Sequence, residues 1–306
     1  MESKFKSILS GIKTLKIQGA ENIAKTASES FRLIVRKSKA KTSQQLESEL
    51  REAAKKLIST RPTEPAMRNS IKYILHGLEG DNVTELAKKV YKRIDEVTNH
   101  FEKGNKKIVE FGEKKIKNDF VVFTHCHSSS VVSTLIKAKK RGKKFQVNNT
   151  ETRPLLQGRT TAKELSKENI PVNHYIDSAA MLALKKADIC LFGADALQSD
   201  GRFINKIGTG LFSEIACTYN IPVFICVNSW KFDPITIFGN DEPIESRGKK
   251  EVWQNNSKNI EIHNPAFEII CPNKITGIIS EFGVYSPAVF TELTLRYYPW
   301  MKDLNY

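Results

Sequence analysis

The chain has 306 residues, with 48 Lys and Arg against 34 Asp and Glu and a formal net charge of +14. At 40% hydrophobic and 27% charged, with 16 Gly and 11 Pro, its composition is globular and excludes wholesale disorder, collagen and coiled-coil fibre. The longest apolar runs, such as 221–227, fall far short of the ~18 residues a membrane span needs.

In chain order, Leu46, Leu50, Ala53 and Leu57 recur at helical spacing behind Thr42-x-x-Gln45, a capping-box arrangement, and predict a helix. Val83, Leu86, Val90, Ile94, Val97 and Phe101 mark a second stripe, which Ile108, Phe111 and Ile116 carry to about residue 118. From Asp119 the texture changes. Short β-branched or aromatic runs at 120–124, 145–148, 172–176, 188–192 and 222–227 predict strands, and the stretches 131–141, 161–169, 178–187 and 209–220 predict helices between them. That alternation implies a parallel sheet covered on both faces. We therefore expect a helical N-terminal domain over 1–118 and a doubly wound α/β domain over 119–306. Further strands are expected at 267–271 and 277–280, and a closing helix at 287–297. The tail 282–306 holds Tyr285, Phe290, Tyr297, Tyr298, Trp300 and Tyr306, a density that suits either an interface or core packing.

The charge invites a nucleic-acid reading. It is unevenly spread: residues 1–118 carry 26 basic and 15 acidic side chains, residues 119–306 carry 22 and 19. The excess lies on helices where Lys and Arg alternate with acids, and neither an aromatic-interleaved basic strand nor a helix-turn-helix pattern supports nucleic-acid binding. Five cysteines, at 126, 190, 217, 226 and 271, include no C-x-x-C pair, which predicts reduced thiols rather than a disulfide frame. The first residues, with Glu2, Lys4 and Lys6, lead into no signal-peptide core, so a cytoplasmic protein is expected.

In a doubly wound sheet, ligands collect at the carboxyl ends of the strands. Five segments are expected there. Thr124-His125-Cys126-His127-Ser128-Ser129-Ser130 puts a cysteine near a helix N-terminus, which favours thiolate, although for a cysteine taken alone a buried thiol in a helix-capping turn is the more ordinary reading. Zinc is rejected, because consecutive residues rarely face one metal and no second cluster follows. Glu151-Thr152-Arg153-Pro154 with Gln157-Gly158-Arg159 offers two guanidinium forks or merely an exposed basic loop. Gly193-Ala194-Asp195 leaves an acid at the tip of an apolar strand, either a proton carrier or an Asp turn. Asn205-Lys206-Ile207-Gly208-Thr209-Gly210 has the look of an anion site at a helix entrance, without the pattern of a P-loop or dinucleotide fold. Lys231 follows the strand expected at 222–227. Arg61 ends a helix in Thr60-Arg61-Pro62-Thr63.

Together with Ile17-Gln18-Gly19-Ala20, Asp177-Ser178-Ala179 and Asn264-Pro265-Ala266-Phe267, these motifs occur in the order found in one family. The chain resembles the initiation factor two-B regulatory subunits and sugar-phosphate aldose–ketose isomerases, most of all their archaeal ribose 1,5-bisphosphate isomerase branch. The resemblance implies a Rossmann-like α/β domain, a dimer or hexamer of identical chains, no cofactor, and AMP as an activator. It further implies conversion of ribose 1,5-bisphosphate to ribulose 1,5-bisphosphate in nucleotide degradation. Cys126 would be the base that removes the C2 proton after ring opening, and Asp195 the acid that handles the oxygen, its pKa raised by the apolar strand beside it. Gly19, Ala20, Arg61, Ser128, Arg153, Asn205, Lys206 and Lys231 would bind the substrate. Two positions depart from that branch, Gln18 where it implies arginine and Ser129 where it implies lysine. Each removes a cation from the expected phosphate cradle. The alternative they suggest is a non-catalytic regulatory protein that binds a nucleotide or sugar phosphate.

Overall fold

A computed structural model describes residues 2–241, 244–254 and 259–303. Five helices come first: α1 (Glu2–Lys13), α2 (Ala20–Val35), α3 (Ser43–Thr60), α4 (Pro65–Leu75) and α5 (Val83–Glu113). The capping signals are realised: Thr42 accepts the Gln45 N–H at 3.2 Å while Gln45 Oε1 takes the Lys41 N–H at 2.8 Å. Asn82 caps α5 in the same way through Glu85 at 3.0 Å. The stripes at 46–57 and 86–101 are buried against one another in a helical core.

Alternating strands and helices follow: β1 (Val121–Thr124), α6 (Ser129–Lys140), β2 (Gln146–Thr150), α7 (Gly158–Lys167), β3 (Val172–Tyr175), α8 (Ala180–Leu184) and β4 (Ile189–Phe192). After them come β5 (Ala196–Leu197), β6 (Phe203–Lys206), α9 (Thr209–Thr218), β7 (Val223–Cys226), β8 (Phe267–Ile270), β9 (Gly277–Ser280), β10 (Gly283–Tyr285) and α10 (Pro287–Tyr297). The main sheet has the order β10-β9-β7-β4-β1-β2-β3, parallel except for the terminal β10, with Val122 opposite both Val147 and Ile189. Its central strands are buried along their length, as parallel strands between two helical layers must be. Ile108 of α5, Leu135 of α6 and Leu165 of α7 pack one face; Leu184 of α8, Phe212 of α9 and Phe290 of α10 pack the other.

Two features of the strands differ from expectation. β8 does not extend the main sheet; it pairs antiparallel with β6, which pairs with β5, in a separate three-stranded sheet. β5 is two residues long and β6 ends in Asn205-Lys206, so neither presents the hydrophobic run that marks a strand. β10 is similarly short. The aromatic tail folds back on the helices: Trp300 meets Trp230 edge-on at 5.4 Å and Tyr73 at 5.6 Å, so Tyr298, Trp300 and Met301 complete the helical core. Tyr306 lies outside the described residues. Among those residues, no helix is long and apolar enough to cross a membrane.

Candidate active site

The carboxyl ends of β1, β4 and β7, neighbours in the sheet, open onto a cavity of about 540 Å³. At the end of β1, His125 is buried, with Nε2 at 2.9 Å from the Ile207 carbonyl oxygen and Nδ1 at 2.6 Å from Thr150 Oγ1. A carbonyl can only accept, so Nε2 carries the hydrogen and Nδ1 accepts from the threonine. Burial holds this imidazole neutral, its pKa lowered to about 4.

Cys126 follows in left-handed backbone, φ 65°. Its N–H donates to Thr152 Oγ1 at 3.0 Å and its carbonyl accepts from Thr161 Oγ1 at 2.8 Å. Asp177 holds the Thr152 turn by accepting the Thr152 and Arg153 N–H groups at 2.9 and 2.7 Å. Ser128 then caps α6. Beside it, a Cβ at Gly193 would lie 2.7 Å from Ser128 Oγ. Only glycine lets the end of β4 approach this turn so closely, and that approach carries Asp195 into the same cavity.

Cys126 and Asp195 both line the cavity, as do Gly19, Ala20, Arg61, Ser128, Asn205, Lys206 and Lys231. Gln18 and Ser129 line it too. Arg153 does not. With its backbone pinned by Asp177, its exposed guanidinium reaches the Val252 carbonyl at 3.3 Å, while Arg159 pairs with Glu151 at 3.0 Å. The helix entrance at Gly208-Thr209-Gly210 also stands apart from the cavity wall. Its Gly210 N–H is taken by Glu268 Oε1 at 2.9 Å, so the protein's own carboxylate fills that anion position. Lys206 belongs to strand β6 rather than to a loop, and its Nζ lies 4.4 Å over the Phe267 ring.

The thiol differs from the sequence expectation as well. Burial pushes Cys126 up to about 11, against the downward pull of Lys206. α6 begins at Ser129 and its cap is the Ser128 hydroxyl, so the helix end serves that serine. Arg61 ends α3, with Nε 3.5 Å from Glu64 Oε2 and a terminal nitrogen 3.8 Å from Glu245 Oε2. Glu64 is buried, and burial raises its carboxyl to about 7.

Sequence reasoning missed Arg247, Asn105, Asn228 and Phe267 on the cavity wall and Glu64 behind it. One of them left a trace. In the α5 stripe Ile94, Val97, Phe101, Ile108, the turn that should supply another apolar residue holds Gly104-Asn105 instead. Arg247 lies in a segment without periodicity and left none.

The sequence matches the initiation factor 2 subunit family over residues 16–287. The ribose 1,5-bisphosphate isomerase of Pyrococcus furiosus is 36% identical over 299 residues, covering 94% of this chain and 92% of that protein. Among solved structures, the translation initiation factor eIF-2B of Pyrococcus horikoshii aligns with a TM-score of 0.82 at 25% identity, covering 94% of this chain and 98% of that one. The 5-methylthioribose 1-phosphate isomerase of the same organism aligns with a TM-score of 0.79 at 26% identity, covering 96% and 88%.

Proposed function

This chain belongs to the initiation factor 2 subunit family, and we propose that it is an aldose–ketose isomerase converting ribose 1,5-bisphosphate to ribulose 1,5-bisphosphate in nucleotide degradation. The observation that carries this reading is the meeting of Cys126 and Asp195, from neighbouring strands, in one cavity with Arg61, Lys206, Lys231 and Arg247. A bisphosphate brings about four negative charges, and guanidinium and ammonium groups are their natural partners. Gly19, Ala20, Ser128 and Asn205 add neutral donors.

In this mechanism Asp195 protonates the ring oxygen as its bond to C1 breaks, which opens the ring and leaves C1 double-bonded to the phosphate-bearing oxygen; the Cys126 thiolate then takes the C2 proton, the C1=C2 bond forms and the C1–oxygen double bond returns to a single bond. The thiol then returns its proton to C1 while the Asp195 carboxylate removes the proton from the C2 hydroxyl. A ketone remains at C2, both groups regain their starting states, and no outside oxidant or reductant is needed. A thiol held up at about 11 is a strong base when deprotonated but is rarely so at neutral pH. Turnover needs the thiolate and the protonated Asp195 together, so each pH step that gains base loses acid, and kcat/KM should follow a bell-shaped profile rather than rise steadily with pH.

The test is to incubate the purified protein, with and without AMP as activator, with ribose 1,5-bisphosphate and to follow ribulose 1,5-bisphosphate by NMR. Methylthioribose 1-phosphate and ribose 1-phosphate serve as comparisons. A folded preparation that yields no product rejects the reading. The uncharged Gln18 and Ser129 on the cavity wall favour a second one, a regulatory protein that binds the sugar phosphate without turning it over. Calorimetric binding without product would establish it.

The reading includes a homodimer or homohexamer. It is supported by Ile176, Met181, Leu182 and Leu211, exposed on and around α8 and α9, an apolar face that a second copy would cover. It also keeps a division at residue 118, supported by helices that end at Glu113 and a first strand that starts at Val121. The cytoplasm is the expected location, where a reducing environment preserves the Cys126 thiol.

A further inference from the structure

Two asparagines at the cavity wall lie outside the machinery described so far. Asn228 follows β7, is 7% exposed, and presents its Oδ1 to two neighbours. The Trp230 N–H donates to it at 2.9 Å, and His100 Nε2 stands at the same distance. His100 is stacked on Trp230 with centroids 4.0 Å apart, and burial keeps it neutral with its pKa lowered to about 4. A backbone N–H can only donate, so the Asn228 amide cannot be inverted without setting donor against donor. Its Nδ2 is thereby fixed as a buried donor, and among the described residues no group accepts from it.

Helix α5 passes directly beside that nitrogen, where a Cβ at Gly104 would come within 2.5 Å of it. The next residue, Asn105, has a buried Oδ1 that is likewise without a donor. Both asparagines line the cavity, together with Phe101 one helical turn earlier on α5. Leaving a buried donor and a buried acceptor unsatisfied costs stability, and a ligand that meets both recovers it. The strand order β7-β4-β1 puts Asn228 beside the strand that delivers Asp195, on the side away from Cys126.

We propose that Asn228 and Asn105 form a neutral subsite that binds a hydroxyl of the substrate's sugar chain and so selects a polyol phosphate. The inference rests on the isomerase reading above. A hydroxyl donates and accepts at once, so it can accept from the fixed Asn228 donor and meet the Asn105 amide through whichever of its two ends faces the ligand. The cations of the cavity are left for the phosphates.

The test compares wild type with Asn105→Ala and Asn228→Ala, measuring KM and kcat for ribose 1,5-bisphosphate and the inhibition constant of inorganic phosphate. Loss of one hydroxyl contact should raise KM about tenfold in each variant and leave phosphate inhibition within about twofold. A phosphate inhibition constant that rises in step with KM would overturn the assignment, because the subsite would then hold a phosphate. Unchanged KM in both variants would overturn it too. Asn228 also supports Trp230 and His100, so its variant is read only with an unchanged melting temperature, and Asn105→Ala decides otherwise. Where wild type binds ribose 1,5-bisphosphate but does not turn it over, calorimetric Kd replaces KM. The isomerase reading then fails while the subsite is still judged on the same comparison.

Discussion

Two sets of elements meet at one cavity and bring it different chemistry. The strands β1 and β4 deliver a thiol and a carboxylate, each on a turn fixed by backbone hydrogen bonds and by the absence of a side chain at Gly193. The helical elements deliver Arg61, Glu21 and Lys25 together with the uncharged groups Gln18, Asn22 and Asn105. The sheet half therefore supplies the groups that can move protons along with Lys206, Lys231 and Arg247. The helices supply a second set of groups that can tell one ligand from another, and a change in substrate preference can accumulate there without touching the reacting pair.

The largest expected effect is on the sheet side. Cys126→Ser should lower kcat about 10³-fold with the melting temperature unchanged, measured by product formation and differential scanning calorimetry. A variant that keeps its activity would remove the division of labour. Lys206→Ala should come next. It should raise KM roughly 10- to 100-fold, and, because Lys206 pulls the thiol down, move the alkaline limb of the kcat/KM profile to still higher pH.

On the helical side, Glu64→Gln should act on stability rather than turnover. The carboxyl titrates near 7 in the fold against 4.5 when free, so its burial costs stability progressively as pH rises from 4.5 to 7 and in full above 7. The variant should gain about 1–3 kcal/mol at pH 8 and little at pH 4, read from urea denaturation at the two pH values. Arg153→Ala should do least, changing kcat/KM less than about twofold, since its side chain lies off the cavity.

The long stripes of α3 and α5 and the apolar central strands were legible because each buries one repeating face, and burial is what sets the period. The small sheet was not, since β5 and β6 are fixed by antiparallel pairing to each other and to a strand some 60 residues on. At the cavity, Cys126, Asp195 and Lys231 stand just beyond strands and were found through them, whereas Lys206 was found through a helix-entrance motif although it stands on β6. Arg153 stands in an equally suggestive motif, but Asp177 pins its turn and its side chain leaves the cavity. The ionisation of Cys126 was misjudged because proximity to a helix end was weighed without the burial that opposes it. Glu64 and Arg247 pair with near neighbours in sequence, Arg61 and Glu245, and such short spacings mark a surface ion pair as readily as a cavity wall.

Helix α5 runs for 31 residues, a rod of ~46 Å. Its first half, Leu86 to Phe101, is built into the helical core, and its second half, with Ile108, into the packing on the sheet. The two cores are thus rigged to a common spar, with Asn105 set between its two moorings. Swinging one half of the molecule against the other would mean bending that spar or tearing one mooring loose. Ligand traffic is then left to shorter pieces at the rim, such as the link between α1 and α2, which carries Leu15 and Gln18 on the cavity wall.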